Sequence, residues 1–336
     1  MHDTRIERLV AIARHSQGKQ MNAARSFFKW ILRFILLYFS FIVFFMIGSM
    51  AVTGVMPDTI LSDPGLVSAT SGLLIMALAN LLVIAPLIMT SRWGGWKLAF
   101  ILALTYYGAV TFLMQIETWY FLTSVTVSPQ LLPRLFLMGI PTAFLFIPLA
   151  VWVLGKRRLT AEVSPNPALV MSVRQWIWKL AIIAVVYLVL YWGAGYFIAW
   201  QNPELRAFYG QPGEAQPFFL HTLNTLRNDP LLFPFQVFRA LLWVLCALPI
   251  IRGSDVKPWW MAVLVGLLFS VPQNVGHILA NPLIPTASVR LSHMIETISS
   301  SFLFGLIVVL LLHREHHSLA DLVGIFEKRE RSMNSE

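Results

Sequence analysis

Residues 176–200 read WIWKLAIIAVVYLVLYWGAGYFIAW, a run with one lysine, no carboxylate and tryptophans at both ends. A helix needs roughly 20 apolar residues to cross the hydrocarbon core of a bilayer. Tryptophan gathers where that core meets water. The run therefore reads as a membrane span. Outward from it, similar runs recur near 28–52, 68–90, 97–121, 133–154, 234–251, 259–280 and 295–313, giving eight. They are continuous rather than alternating, which excludes a β-barrel, the other spanning solution. The expected fold is all-α, a polytopic bundle of in–out–in hairpins.

Composition agrees with this reading. Hydrophobic residues are 57% of the 336 and charged residues only 12%, about half the charge of an ordinary soluble domain. Ten of the 12 tryptophans, from Trp30 to Trp260, stand at or near the ends of the runs. Lys and Arg occupy alternate gaps: Arg92 and Lys97, then Lys156, Arg157, Arg158 and Arg174, then Arg252 and Lys257. They also fill both termini. The remaining gaps hold Asp58, Asp63, Glu204, Glu214 and Asp229. Positive residues stay on the cytoplasmic side, so both termini are expected in the cytoplasm of a multi-pass plasma (inner) membrane protein. The net charge of +9 then reflects topology and contact with anionic headgroups, and no nucleic-acid partner is implied. Cys246 stands alone, which rules out an intrachain disulfide and a Cys-based metal site.

Three segments are expected: a cytoplasmic amphipathic stretch over 1–27, the membrane domain over 28–313, and a cytoplasmic amphipathic tail over 314–336. Ile6, Leu9, Val10 and Ala13 share one helical face of the first. Leu319, Leu322, Val323 and Phe326, after a capping Ser318, do so in the last. Such helices lie on a bilayer surface, and either terminus could dock a protein partner. The longest loop, 201–233, is placed outside and contains a short helix with Phe219, Leu223 and Leu226 on one face. Long structured loops often act as lids. Pro129, Pro133 and Pro148 recur as Pro230, Pro234 and Pro249 at constant offset, the pattern an internal duplication would leave.

Ionisable groups within spans cost about 2.5–3.5 kcal/mol each on insertion scales, so they mark partners or sites. Here they gather at one depth. Glu117 lies near the outer end of span three, Arg134 opens span four, and Arg239 follows Gln236 in span six. Gln273, Asn274, His277 and Asn281 form one stripe of span seven by their spacing of three and four. Arg290, His293 and Glu296 introduce span eight, and His293, Thr297, Ser301 and Gly305 make a ridge that admits a close neighbour. Pro272 breaks the backbone bonding of span seven beside the stripe. The bland alternative is that Glu117 or Glu296 simply pairs with Arg239 and the amides tie helices together.

The expected site is a ligand-binding pocket of Glu117, Arg239, Asn274, His277, His293 and Glu296 in the outer-leaflet half. The carboxylates would titrate or pair. Arg239 would neutralise one or hold an anion, and the amide and histidines would orient the ligand. A small solute, an ion or an anionic lipid headgroup fits such a pocket, the last through Arg134, Arg239 and Arg290. An intramembrane enzyme is the alternative, with His277, His293 and Glu296 as a metal-ligand set. A structural subunit of a membrane complex is the third. No Walker, GxGxxG, CxxC or GxSxG pattern occurs, so no cofactor is expected. The string His277-Ile-Leu-Ala-Asn281 is similar to the HxxxN element of CAAX-type intramembrane proteases. That family's EExxxR and FxxxH motifs are absent, and membership is not assigned.

Overall fold

Ser68 and Ser172 each start a long helix, their hydroxyls accepting hydrogen bonds from the backbone N–H of Ser71 (3.1 Å) and Gln175 (3.3 Å). A short polar side chain at this position satisfies a donor that the first helical turn leaves free. Pro258 opens another helix, where its missing N–H costs nothing. In the computed structural model residues 3–57, 62–123, 125–157, 170–316 and 319–322 are described. Among them are no strands, and eight helices are long and apolar enough to cross a membrane: Ser26–Val52, Ala69–Met89, Gly95–Leu122, Leu131–Val153, Val173–Ala199, Leu232–Gly253, Pro258–Ile278 and Ala287–Leu312. These are spans one to eight below, and they define a multi-pass membrane protein.

The loops form two groups, each hydrogen-bonded within itself. At one end the basic loops meet. Arg92 N donates to Gly253 O (2.6 Å), Gly95 N to Lys156 O (2.6 Å) and Asp255 N to Thr90 O (2.9 Å). The chain after span eight joins this end, since Lys179 Nζ donates to Arg314 O (2.7 Å) and Gln175 Nε2 to His316 O (2.5 Å). At the other end Asp63 N donates to Pro285 O (2.9 Å), Leu66 N to Ile278 O (2.8 Å) and Thr126 Oγ1 to Leu283 O (2.8 Å).

Small residues set the helix crossings, as expected where packing rather than water exclusion drives association. The ridge on span eight packs on span seven so closely that a Cβ on Gly305 would come 2.6 Å from Gly266 Cα. Gly139 is likewise filled by Thr111, and Gly108 faces Cys246.

Several expectations change. Span eight begins at Ala287, eight residues before the expected 295, because its polar residues find partners inside the helix bundle. Arg290, 1% exposed, donates to the carbonyls of Ile284, Pro285, Asp63 and Pro64 at 2.6–3.0 Å. The Asp63 carboxylate accepts from Ala287 N (2.8 Å) at the positive end of the helix. Span seven ends at Ile278, so Asn281 leaves the helical stripe and caps a turn by accepting from Leu283 N (2.9 Å). The first helix runs unbroken from Asp3 to Ser49, without a joint before span one, since no proline interrupts it. In the tail one turn, Leu319–Leu322, is described; Ser318, Val323 and Phe326 lie outside the described residues, as do Asp58 and Arg158. The recurring prolines do not carry a recurring backbone: Thr142–Phe146 is a π-helix, whereas Leu232–Gly253 is α throughout.

The Gly266–Gly305 crossing gives a direct test. Gly305→Ala should lower the thermal midpoint in detergent, by overpacking worth about 1–3 kcal/mol. Gly193→Ala, whose new methyl meets nothing within 4 Å, should leave it unchanged.

Candidate functional site

All eight spans contribute to one cavity of about 990 Å³, at the end opposite the basic loops. That is the upper size of a small-molecule site. Its roof is the loop after span five. Asn202 caps a short helix, Pro203–Phe208, by accepting from Glu204 N (2.9 Å). Arg206, 8% exposed, gathers the carbonyls of Trp200 (2.7 Å), Gln201 (3.2 Å) and Gly213 (2.9 Å) and so folds the loop back. A second helix, Phe218–Asn228, lies across the opening. His221, Asn224, Thr225 and Asn228, spaced by three and four, line the cavity, while Phe219 on the far side is 84% exposed. The lid is tied down by Tyr196 Oη donating to Gln216 O (2.5 Å) and Tyr120 Oη donating to Asp229 Oδ1 (2.6 Å). His221 packs against Trp200, with ring centroids 4.9 Å apart.

Span eight carries a short chain of polar contacts. Tyr209 Oη lies 3.1 Å from His293 Nε2, and His293 Nδ1 lies 3.2 Å from Glu296 Oε2. Burial, reinforced by the Glu117 and Glu296 charges, pushes the Tyr209 phenol well above its ordinary range. It stays protonated, and its contact with Nε2 holds the His293 ring between the phenol and the Glu296 carboxyl. Thr297 Oγ1 donates to Asn274 Oδ1 (2.6 Å), and Asn274 Nδ2 donates to Ser270 O (2.7 Å). His277 and Gln273 also line the cavity, and His277 Nδ1 and Gln273 Oε1 have no protein partner.

Glu117 and Arg239 form the buried ion pair of the bundle. Arg239 Nη1 and Nη2 donate to the two carboxylate oxygens at 2.9 and 2.5 Å, and Nη1 also donates to Gln236 Oε1 (2.9 Å). The Arg239 side chain is 3% exposed and that of Glu117 28%. Of the six residues expected to form the pocket, Glu117, Asn274, His277, His293 and Glu296 line the cavity. Arg239 stands behind Glu117, against a small void of about 40 Å³ that Glu296 and Asn274 share. Its Nη1 and Nη2 are taken up by Glu117 and Gln236. Arg290 is engaged by four carbonyls, exposed Arg134 reaches only Ala51 O (3.5 Å) among the described residues, and neither lines the cavity, so the expected three-arginine anion cradle is not seen among them. Among the described residues no three His, Cys, Asp or Glu side chains group closely enough to hold a metal ion, so His277, His293 and Glu296 do not form the ligand set considered above.

Three parts of the site escaped sequence reading. Tyr209 is one. The polar face of the lid helix is another; its spacing was visible only as the complement of the apolar face. The third is the floor, where Tyr106 Oη donates to Asn80 Oδ1 (2.5 Å) midway along spans two and three. Comparison with family models, curated proteins and solved structures yields no match, so the function must be argued from the site itself.

Removing one partner of a buried ion pair costs about 3–5 kcal/mol because the other charge is stranded. Glu117→Gln should therefore lower the thermal midpoint clearly, and adding Arg239→Met should recover part of the loss. Purely additive effects would show that the pair is not coupled. The lid supplies a pH test. Burial lowers the His221 pKa from its ordinary 6.5, so the docked lid binds fewer protons than a released one. Docking is fully favoured above pH 6.5 and weakens as pH falls through the lowered value. Hydrogen-exchange protection over 218–228 should drop on acidification in the native protein and stay flat in His221→Gln.

Proposed function

We propose that this protein binds a small organic solute or amphiphile in the lidded cavity and exchanges it with the extracytoplasmic face of the plasma (inner) membrane. The carrying observation is the convergence of side chains from all eight spans and the lid helix on one cavity of about 990 Å³. Holding helices together requires pairs of polar groups, not a shared volume that the pairs leave open. The lining is divided in a way that suits an amphiphile. Phe41, Phe45, Met76, Met114 and Met138 make an apolar wall, and Glu117, Asn274, His277, His293 and Glu296 make a hydrophilic one. Methionine walls adapt to varied apolar shapes. The basic loops support the orientation: Arg92, Lys97, Lys156, Arg252 and Lys257 lie at the far end, and the preference of positive residues for the inner side favours that end, with both termini, as the cytoplasmic one.

A second reading is an intramembrane enzyme acting on a lipid-linked substrate. The observation on its side is the Tyr209–His293–Glu296 chain, an arrangement able to move a proton. The nearby Thr297 hydroxyl is already engaged by Asn274 and by His293 O.

Gly276 lines the cavity, and a side chain there would enter open space. Gly276→Phe should keep the thermal midpoint but abolish stabilisation by compounds found to stabilise the native protein. If ligands stabilise the variant equally, the cavity is not the binding site. Orientation is checked in a Cys246→Ala background. Glu214→Cys should react with an impermeant maleimide on intact cells, and Lys257→Cys only after permeabilisation. The reverse pattern would place the cavity on the cytoplasmic side.

A further inference from the structure

The cavity has a sign. Among its described lining residues are three carboxylates, Glu117, Asp229 and Glu296, and three histidines, but no Lys or Arg. Glu117 is neutralised from behind by Arg239, both its oxygens being taken. Asp229, at the rim, accepts from Tyr120. Glu296 is different. It is 8% exposed, its Oε2 faces His293, and among the described residues no hydrogen bond reaches Oε1. That oxygen points at span five beside Gly195, where a Cβ would lie 3.6 Å from it. Gly195 thus opens space in front of a carboxylate oxygen that has no donor among the described residues.

The wall around that space is aromatic. Tyr191, Trp192, Tyr196 and Trp200 of span five and its end line the cavity, with Tyr209 opposite. A ring face attracts a cation through its quadrupole, by about 0.5–1 kcal/mol when exposed and about 2 when desolvated. An anion meeting this wall would face the Glu296 carboxylate, with the Asp229 carboxylate at the rim, and no Lys or Arg among the described lining residues. An inorganic divalent cation would need about six oxygen ligands, and no acidic group of that kind assembles among the described residues. A soft organic cation matches both the carboxylate oxygen and the rings.

We propose that the cavity selects an organic ammonium, a protonated or quaternary amine, seated with its charge between Glu296 Oε1 and the aromatic face of span five and its apolar part toward the methionine wall. This inference rests on the binding reading above and adds the charge class of the ligand.

The test uses the full chain in a non-ionic detergent and three probes of similar size: benzyltrimethylammonium, benzylsulfonate and benzyl alcohol. Binding is read by isothermal titration calorimetry. The ammonium should bind at least tenfold more tightly than the sulfonate and more tightly than the alcohol. Glu296→Gln should remove that preference while keeping residual affinity for the alcohol. Gly195→Leu, which covers Oε1 without changing charge, should also weaken the ammonium at least tenfold, and it keeps the question answerable if Glu296→Gln does not fold. Equal or tighter binding of the sulfonate, or an ammonium affinity untouched by both variants, overturns the charge assignment. If the alcohol alone binds and Gly276→Phe abolishes it, the cavity reading survives and only the ammonium is wrong. If no probe binds, both fall.

Discussion

A guanidinium enclosed by apolar helices must be neutralised where it stands, and the Arg239–Glu117 pair does this. Placing an arginine at the centre of a span costs about 2.5–3.5 kcal/mol even on lenient scales. Two parallel hydrogen bonds to one carboxylate return much of that cost and fix both side chains. Span three must then present Glu117 toward span six. Phe121, one turn beyond Glu117 on that face, is aimed into the cavity by the same requirement. The pair also decides the electrostatics of the cavity. Because Arg239 stays behind Glu117, its charge never reaches the lining as a free cation, and Glu296 and Asp229 are left without a Lys or Arg partner.

The enclosed space takes its character from two kinds of wall. Spans one, two and four supply Phe41, Phe45, Met76 and Met138, whose side chains offer dispersion contacts and no N–H or O–H donors. Spans three, five, seven and eight supply carboxylates, amides, imidazoles and phenols. The lid closes the polar side, not the apolar one. Its cavity face carries His221, Asn224, Thr225 and Asn228, so a ligand's hydrophilic part would meet hydrogen-bonding groups from above and below. Phe219 and Leu223 point away from the cavity, which suits a helix resting in the headgroup region of a bilayer.

Much of this was legible in the sequence. Long apolar runs and tryptophans gave the eight helices, and the isolated ionisable residues of spans three, six, seven and eight pointed to a shared depth. What could not be read depends on backbone groups or on single residues. Arg290 looked like a free cation because its four carbonyl partners have no signature in composition. For the same reason span eight seemed to start late: its charged residues read as loop until their partners were visible. Asn80 was hidden by the apolar run around it, and only the position of Tyr106 gives it meaning. Tyr209 lies in a loop whose path is set by Arg206, and nothing local announces that it will reach His293.

Three wide helical turns, Tyr107–Phe112, Thr142–Phe146 and Gly195–Ala199, all border the cavity. A π turn holds one residue more than the α turn it replaces. Losing that residue returns the turn to α geometry and leaves everything after it facing the same way, whereas a loss from a plain α-helix rotates all that follows by about 100° about its axis. In span three the wide turn lets Glu117 face Arg239 with one residue more than a regular helix would hold there. The number of residues in this span is therefore less constrained than their greasiness: a chain with one residue fewer before Leu113 would insert equally well and, through a plain α turn, keep its counter-ion in reach.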